Sequence, residues 1–164
     1  MKTRIICSSL ILTFLLVSNV GALSWYNLKG VASDGKFKFT ATSIVCGAKS
    51  YTTPDGYLTV TAQGVYCRLG VTIKNIGKSP QMLNDTLQVL NSRSGGQYSP
   101  DENADIDLNP NSMWSLKTLN PGLSMSGYIY YDLPRGIRIS SITVHDSAFS
   151  AGAKLNLMKV GAHS

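Results

Sequence analysis

The sequence predicts an all-β protein built as an antiparallel sandwich. Three observations carry that prediction. The stretch GVYCRLGVTIKNIGKSP, residues 64–80, puts Val65, Cys67, Leu69, Val71 and Ile73 on one parity and Tyr66, Arg68, Gly70, Thr72 and Lys74 on the other. Side chains alternate across a pleat, so this run reads as a strand with one face buried and one face wet. Short β-rich segments with turn punctuation recur along the rest of the chain. No segment shows helical periodicity with caps and adequate length. The strand count and cysteine spacing favour a sandwich over a barrel.

The N-terminus sets the compartment. Lys2 and Arg4 precede an apolar run from Ile5 to Val17, interrupted by Ser8, Ser9 and Thr13. Asn19 and Gly21 break the run, and Val20-Gly21-Ala22 offers a small-residue cleavage site. These features predict a secretory signal peptide over 1–22 and a single domain over 23–164. The run is short for a membrane span, so none is expected after cleavage. Cys7 lies before the apolar core, where it cannot serve as a lipid anchor at the cleavage point. The expected location is secreted or periplasmic.

Cleavage removes Lys2 and Arg4, which takes the formal charge from +6 to +4 and leaves 142 residues. That length fits one domain with its own core. The basic residues are scattered singly, a pattern that argues against nucleic acid as a partner. Cys46 and Cys67 remain. Two cysteines in an oxidising compartment suggest one disulfide, with two buried thiols as the alternative. A bridge would close a loop of about 20 residues, worth roughly 3 kcal/mol in the chain-entropy model. With no histidine nearby, the pair cannot complete a zinc shell.

The remaining elements follow in order. Lys36 to Cys46 alternates, with Phe37, Phe39 and Ala41 on one face, but Ile44 and Cys46 fall on the other parity; a bulge near Thr42 would reconcile them. Pro54-Asp55-Gly56 is a turn with a mechanism: a fixed φ, a residue that bonds locally, then a free φ. Asn75 to Pro80 turns the chain after the central strand, and Asn75 and Gly77 suit a positive φ there. Thr86 to Asn91 reads as a strand, Ser94-Gly95-Gly96 as a turn and Gln97-Tyr98 as a short strand. Ser99 to Asn111 is polar and acidic, so it reads as a loop; Met113 to Leu119 allows one short helical turn. Asn120-Pro121-Gly122 suits a type II turn. Ser126 to Leu133 is a strand that Pro134 ends, and Ile137 to His145 and Ala153 to Met158 complete the set.

Four stretches carry a family resemblance: DGKFKFTATSIVCG at 34–47, GVYCRLGVTIKNIGKSPQ at 64–81, LNPGLSMSGYIYYDLP at 119–134 and HDSAFSAGAKLNL at 145–157. In this order they resemble the telokin-like family of secreted bacterial domains of unknown function. The resemblance covers nearly all of the mature chain. It implies an immunoglobulin-like β-sandwich and a Cys46–Cys67 bridge, and it implies no activity.

Candidate chemistry is sparse. Gly122 to Ser126, GLSMS, begins like a nucleophile elbow but ends in serine, and its context is strand-turn-strand rather than strand-turn-helix. His145 and Asp146 are neighbours in a strand and point to opposite faces, which places them poorly for joint catalysis. No enzyme is expected. Tyr128 and Tyr130 share a face and could bind a sugar or a protein, while Tyr131 goes with Ile129 and Leu133 to the core. Asn84-Asp85-Thr86 matches a glycosylation sequon. Asp101, Asn103, Asp105 and Asp107 place oxygens at alternate positions, like the first half of a calcium loop. The second half fails, because Ile106 stands where glycine is wanted and Ser112 where a glutamate is wanted. The expectation is therefore a non-catalytic extracytoplasmic binding or structural module for an extracellular protein or surface ligand. It needs no cofactor. Weak calcium binding at 101–107 is the alternative mode.

Overall fold

The computed structural model describes residues 24–27, 30–109 and 117–157. The signal peptide expected over 1–22 lies outside them, as does most of the turn expected at Met113 to Leu119. The chain forms two facing antiparallel sheets. The larger contains β1 (Ser24–Asn27), β2 (Val31–Asp34), β3 (Phe37–Thr52), β4 (Thr59–Asn75) and, after intervening elements, β9 (Ser124–Leu133). Its order is β1-β3-β4-β9, with β2 pairing β3 beyond β1. The smaller sheet runs β11-β10-β6-β7, from β6 (Val89–Ser92), β7 (Gln97–Tyr98), β10 (Ile139–Val144) and β11 (Ala153–Asn156). A two-stranded ladder joins β5 (Gln81–Met82) to β8 (Thr118–Leu119). This is the predicted immunoglobulin-like antiparallel sandwich.

The alternation at the centre of the chain builds the core. Leu69, Val71 and Ile73 of β4, Phe37, Phe39 and Ile44 of β3, and Ile129, Tyr131 and Leu133 of β9 face Leu90, Ile142, Val144 and Leu155 of the smaller sheet. Each such side chain contributes about 1.5–3 kcal/mol by leaving water. The buried hydroxyl of Tyr131 is accounted for, since Tyr131 Oη donates to the Gln88 carbonyl at 2.8 Å.

The bulge expected near Thr42 is present. The β3–β4 register shifts between Ala41 and Ser43, which lets Ala41 and Ile44 both reach the core. Gly70 sits opposite, and a Cβ there would come within 2.5 Å of Ser43 Oγ and 2.7 Å of Thr42 Oγ1. A side chain at position 70 would therefore have to displace both hydroxyls, and glycine leaves them room. Cys46 and Cys67 are register partners and form a disulfide, so the bridge staples β3 to β4 within one sheet.

Two turn expectations divide. At Asn120-Pro121-Gly122, Gly122 has φ of 80° and Leu123 N donates to the Asn120 carbonyl, as a type II turn requires. Gly77, by contrast, has no positive φ. Asn75 shapes that turn through its buried side chain: Oδ1 accepts from Gly77 N at 2.8 Å, and Nδ2 donates to the carbonyls of Ser79 at 2.9 Å and Leu119 at 2.7 Å. The strand expected at Thr86 to Asn91 starts later, because Asp85–Leu87 winds into a 3-10 turn capped by Asn84.

Candidate functional site

The acidic stretch expected to be a loop is a helix, α1 (Glu102–Leu108), lying on the outer face of the larger sheet. Asp101 starts it: Oδ1 accepts from Ala104 N at 3.1 Å and Oδ2 from Tyr66 Oη at 3.2 Å. Ala104 and Leu108, one turn apart, bury against Ala62, Tyr66 and Tyr130. The face expected to be wet on β4 is thus half covered, and a second small core forms behind the sheet.

This corrects both candidate sites. Tyr128 and Tyr130 do share a face, but Tyr130 is 2% exposed beneath α1 and Tyr128 is half-buried. The calcium-loop reading of Asp101, Asn103, Asp105 and Asp107 needs a loop that wraps its oxygens around the ion. On a helix, residues two apart point roughly 200° apart, so alternate oxygens cannot converge. Asn103 and Asp107 face solvent, Asp101 caps the helix, and Asp105 is buried. Among the described residues no group of three or more His, Cys, Asp or Glu side chains is placed to hold a metal ion.

The helix instead closes an edge. β9 is the last strand of its sheet, and an edge strand presents unpaired backbone groups. Asn109, just past α1, supplies an imitation peptide unit: Oδ1 accepts from Tyr128 N and Nδ2 donates to the Tyr128 carbonyl, both at 2.8 Å. Asp105 Oδ1 accepts from Tyr130 N at 2.6 Å, and Asp101 N donates to the Tyr130 carbonyl at 2.8 Å. The segment 101–109 thus stands in for a missing strand.

The electrostatics of this layer are structural. Burial pushes the Asp105 carboxyl up to about 9, reinforced by Asp85, Asp101 and Glu102 and opposed by the Tyr130 N–H. Its Oδ2 is buried without a partner. Burial likewise raises the Tyr130 hydroxyl to about 12, with Arg68 pulling it back down. Burial and then Asp101 raise Tyr66. Arg68 lies between two rings, 4.4 Å from the Tyr128 centroid and 5.1 Å from that of Tyr51. At the rim of this layer, where β4 loses its regular pairing, Lys49 Nζ donates to the Gln63 and Gly64 carbonyls, and the Asp132 carboxylate accepts from their N–H groups.

The other candidates also have structural roles. His145 Nδ1 lies 3.2 Å from Ser150 Oγ, and His145 N donates to Gln88 Oε1. Asp146 accepts from Lys36 N, tying its loop to the β2–β3 turn. GLSMS is a turn entering β9, with no helix after it. Sequence reasoning missed Asn109 and Arg68. A buried asparagine just after Leu108 is visible as a helix-ending residue only once the helix itself is seen.

Beyond Val65, β4 no longer pairs with β9, and β3 and β4 continue as a two-stranded ribbon. Its tip is well ordered by local bonds: Asp55 Oδ1 accepts from Thr53 Oγ1 and Tyr57 N, and Thr53 N donates to the Leu58 carbonyl. Those bonds hold the Asp55 carboxyl below its ordinary range. Tyr57 projects from this tip, 92% exposed.

Among the described residues no helix is long and apolar enough to cross a membrane. No curated protein matches the chain. In fold it is similar to a conserved hypothetical protein from Bacillus anthracis, with a TM-score of 0.57 and 17% identity over 79% of this chain and 96% of that one. It is also similar to a functionally unknown protein from Listeria monocytogenes EGD-e, with a TM-score of 0.53 and 12% identity over 84% and 88% of the two chains. At those identities the likeness speaks for the fold. The family model described as a domain of unknown function, DUF4352, matches residues 26–154, from β1 into β11, and the chain belongs to that family.

Proposed function

We propose that this protein is an exported, non-catalytic immunoglobulin-like module that holds an extracellular protein or surface ligand through the tip of its β3–β4 ribbon. The supporting observation is Tyr57, an almost fully exposed aromatic on a turn already ordered by Asp55 and Thr53. An ordered tip loses little conformational freedom on binding, and tyrosine offers large contact area at low entropy cost. The Cys46–Cys67 bridge supports export, because structural disulfides persist in oxidising compartments. The telokin-like resemblance supports the same reading. The absence of catalysis is part of the proposal, since the most strongly shifted carboxyl, Asp105, is buried in the packing of α1 and Asp55 is held by the bonds of its own turn. The processed protein used as bait on surface extract of its own host is expected to retain a partner, and Tyr57→Ser is expected to release it with an unchanged melting temperature. Equal retention by Tyr57→Ser would reject the ribbon tip as the binding element.

A further inference from the structure

The end of the larger sheet opposite the ribbon tip has a different character. Three connections meet there: the β2–β3 turn with Lys36, the segment after β4 with Ile76 and Lys78, and the turn into β9 with Leu123. Asn75 N donates to the Leu123 carbonyl, and Gly77 lies against Lys36, so these connections are contiguous. The loop after β10 joins them, because Asp146 accepts from Lys36 N. That loop carries Phe149, which is 100% exposed. Ile76 is 47% exposed and Leu123 55%. One end of the molecule therefore presents three large apolar side chains among lysines.

The basic charge at this end exceeds the acidic charge. One row inward, Ser33, Lys38, Lys74 and Ser124 are register partners across four strands, and all four are exposed. Two lysines directly opposite each other are unfavourable in a sheet, and no acid stands in that row. Two carboxylates stand at this end, Asp34 with Oδ2 accepting from Asp146 N and Asp146 with Oδ2 accepting from Lys36 N, and they offset only part of the charge of Lys36, Lys38, Lys74 and Lys78.

We infer that this end of the larger sheet docks on an anionic lipid surface, with Phe149, Ile76 and Leu123 entering the interface and the lysines meeting the headgroups. Apolar tips ringed by lysine are what an interfacial anchor requires, since burial of the tips and attraction to anionic lipid add together. A soluble polyanion would use the lysines and leave the apolar tips unexplained. This site is distinct from the ribbon tip and does not rest on it.

Co-sedimentation of the processed protein with vesicles decides the matter. Binding is expected to vesicles of phosphatidylglycerol mixed with phosphatidylcholine, and not to phosphatidylcholine alone. Salt at about 0.5 M should release it, because the Debye length then falls to a few ångströms. Each lysine near the surface is worth roughly fivefold in affinity, so K36E/K78E should weaken binding at least tenfold. Phe149→Ser with Leu123→Ser should also weaken it, and both positions are exposed, so the melting temperature should hold. Failure to bind phosphatidylglycerol vesicles would overturn the inference. So would binding by either variant at the level of the parent, or firm capture by dextran sulfate without capture by vesicles.

Discussion

Asp105 shows how one side chain ties fold to solution conditions. Its carboxyl is 1% exposed and held at about 9 by burial. In the unfolded chain it would titrate near 3.8. Between those values the native state holds a proton that the unfolded state has released. The unfolded state thus binds fewer protons, and stability falls as pH rises through that window. The slope for one such group is about 1.4 kcal/mol per pH unit. Urea unfolding should therefore show lower stability at pH 8 than at pH 5. Asp105→Asn keeps an acceptor for Tyr130 N and carries no charge, so it should remove most of that slope and exceed the parent at pH 8. The raised tyrosines titrate above the window, and Asp55, with its lowered value, titrates below it. A parent slope that survives unchanged in Asp105→Asn would assign the proton to another group.

Among the elements, α1 carries more of the architecture than its seven residues suggest. Asn109 satisfies Tyr128 on both its backbone groups and also donates to the Asp105 carbonyl at 2.8 Å. Asn109→Ala leaves these groups unpaired at a site that is 3% exposed, which should cost about 1–3 kcal/mol. Asn103→Ala, on the exposed face, should stay within about 0.5 kcal/mol of the parent. Denaturant midpoints for the pair test the edge role, and equal midpoints would remove it. Opening the β9 edge should also promote self-association, visible as concentration-dependent elution.

The same element marks where the sequence became hard to read. Strands β3, β4 and β9 were legible because a half-buried strand writes its burial into alternate positions, and the parity change at Thr42 even revealed the bulge. α1 writes almost nothing. Its buried positions are Ala104, Asp105 and Leu108, while Ile106, as large as Leu108, is 43% exposed. A two-residue apolar stripe is outweighed by alternating acids that imitate a metal loop. The misreading of Tyr128 and Tyr130 follows from it: their parity was right, but what covers them was not visible. The short strands β1, β2, β5 and β8 were also missed, since four residues or fewer carry too little pattern and depend on their partners.

For the whole molecule, the Cys46–Cys67 bridge raises the question of what the domain needs in order to stand. The bridge spans a sequence separation of 21 and joins residues already opposed in the β3–β4 ladder. Its effect falls mainly on the unfolded chain, whose loop it closes, and a loop of this length gives roughly 3 kcal/mol. The native contacts do not depend on it. The sandwich core draws on both sheets, and a domain of this size can bury enough apolar surface to fold without a staple. The double variant Cys46→Ala/Cys67→Ala should therefore fold, with an unchanged far-ultraviolet spectrum and a loss of about 2–4 kcal/mol in urea. The ribbon beyond the bridge is held by its own ladder from Ser50 to Thr61 and by Tyr51 and Val60 against the second core, so Tyr57-dependent binding should persist in that variant. An unfolded double variant would mean that the two sheets alone do not offset chain entropy, and the bridge would then be a condition of folding rather than reinforcement.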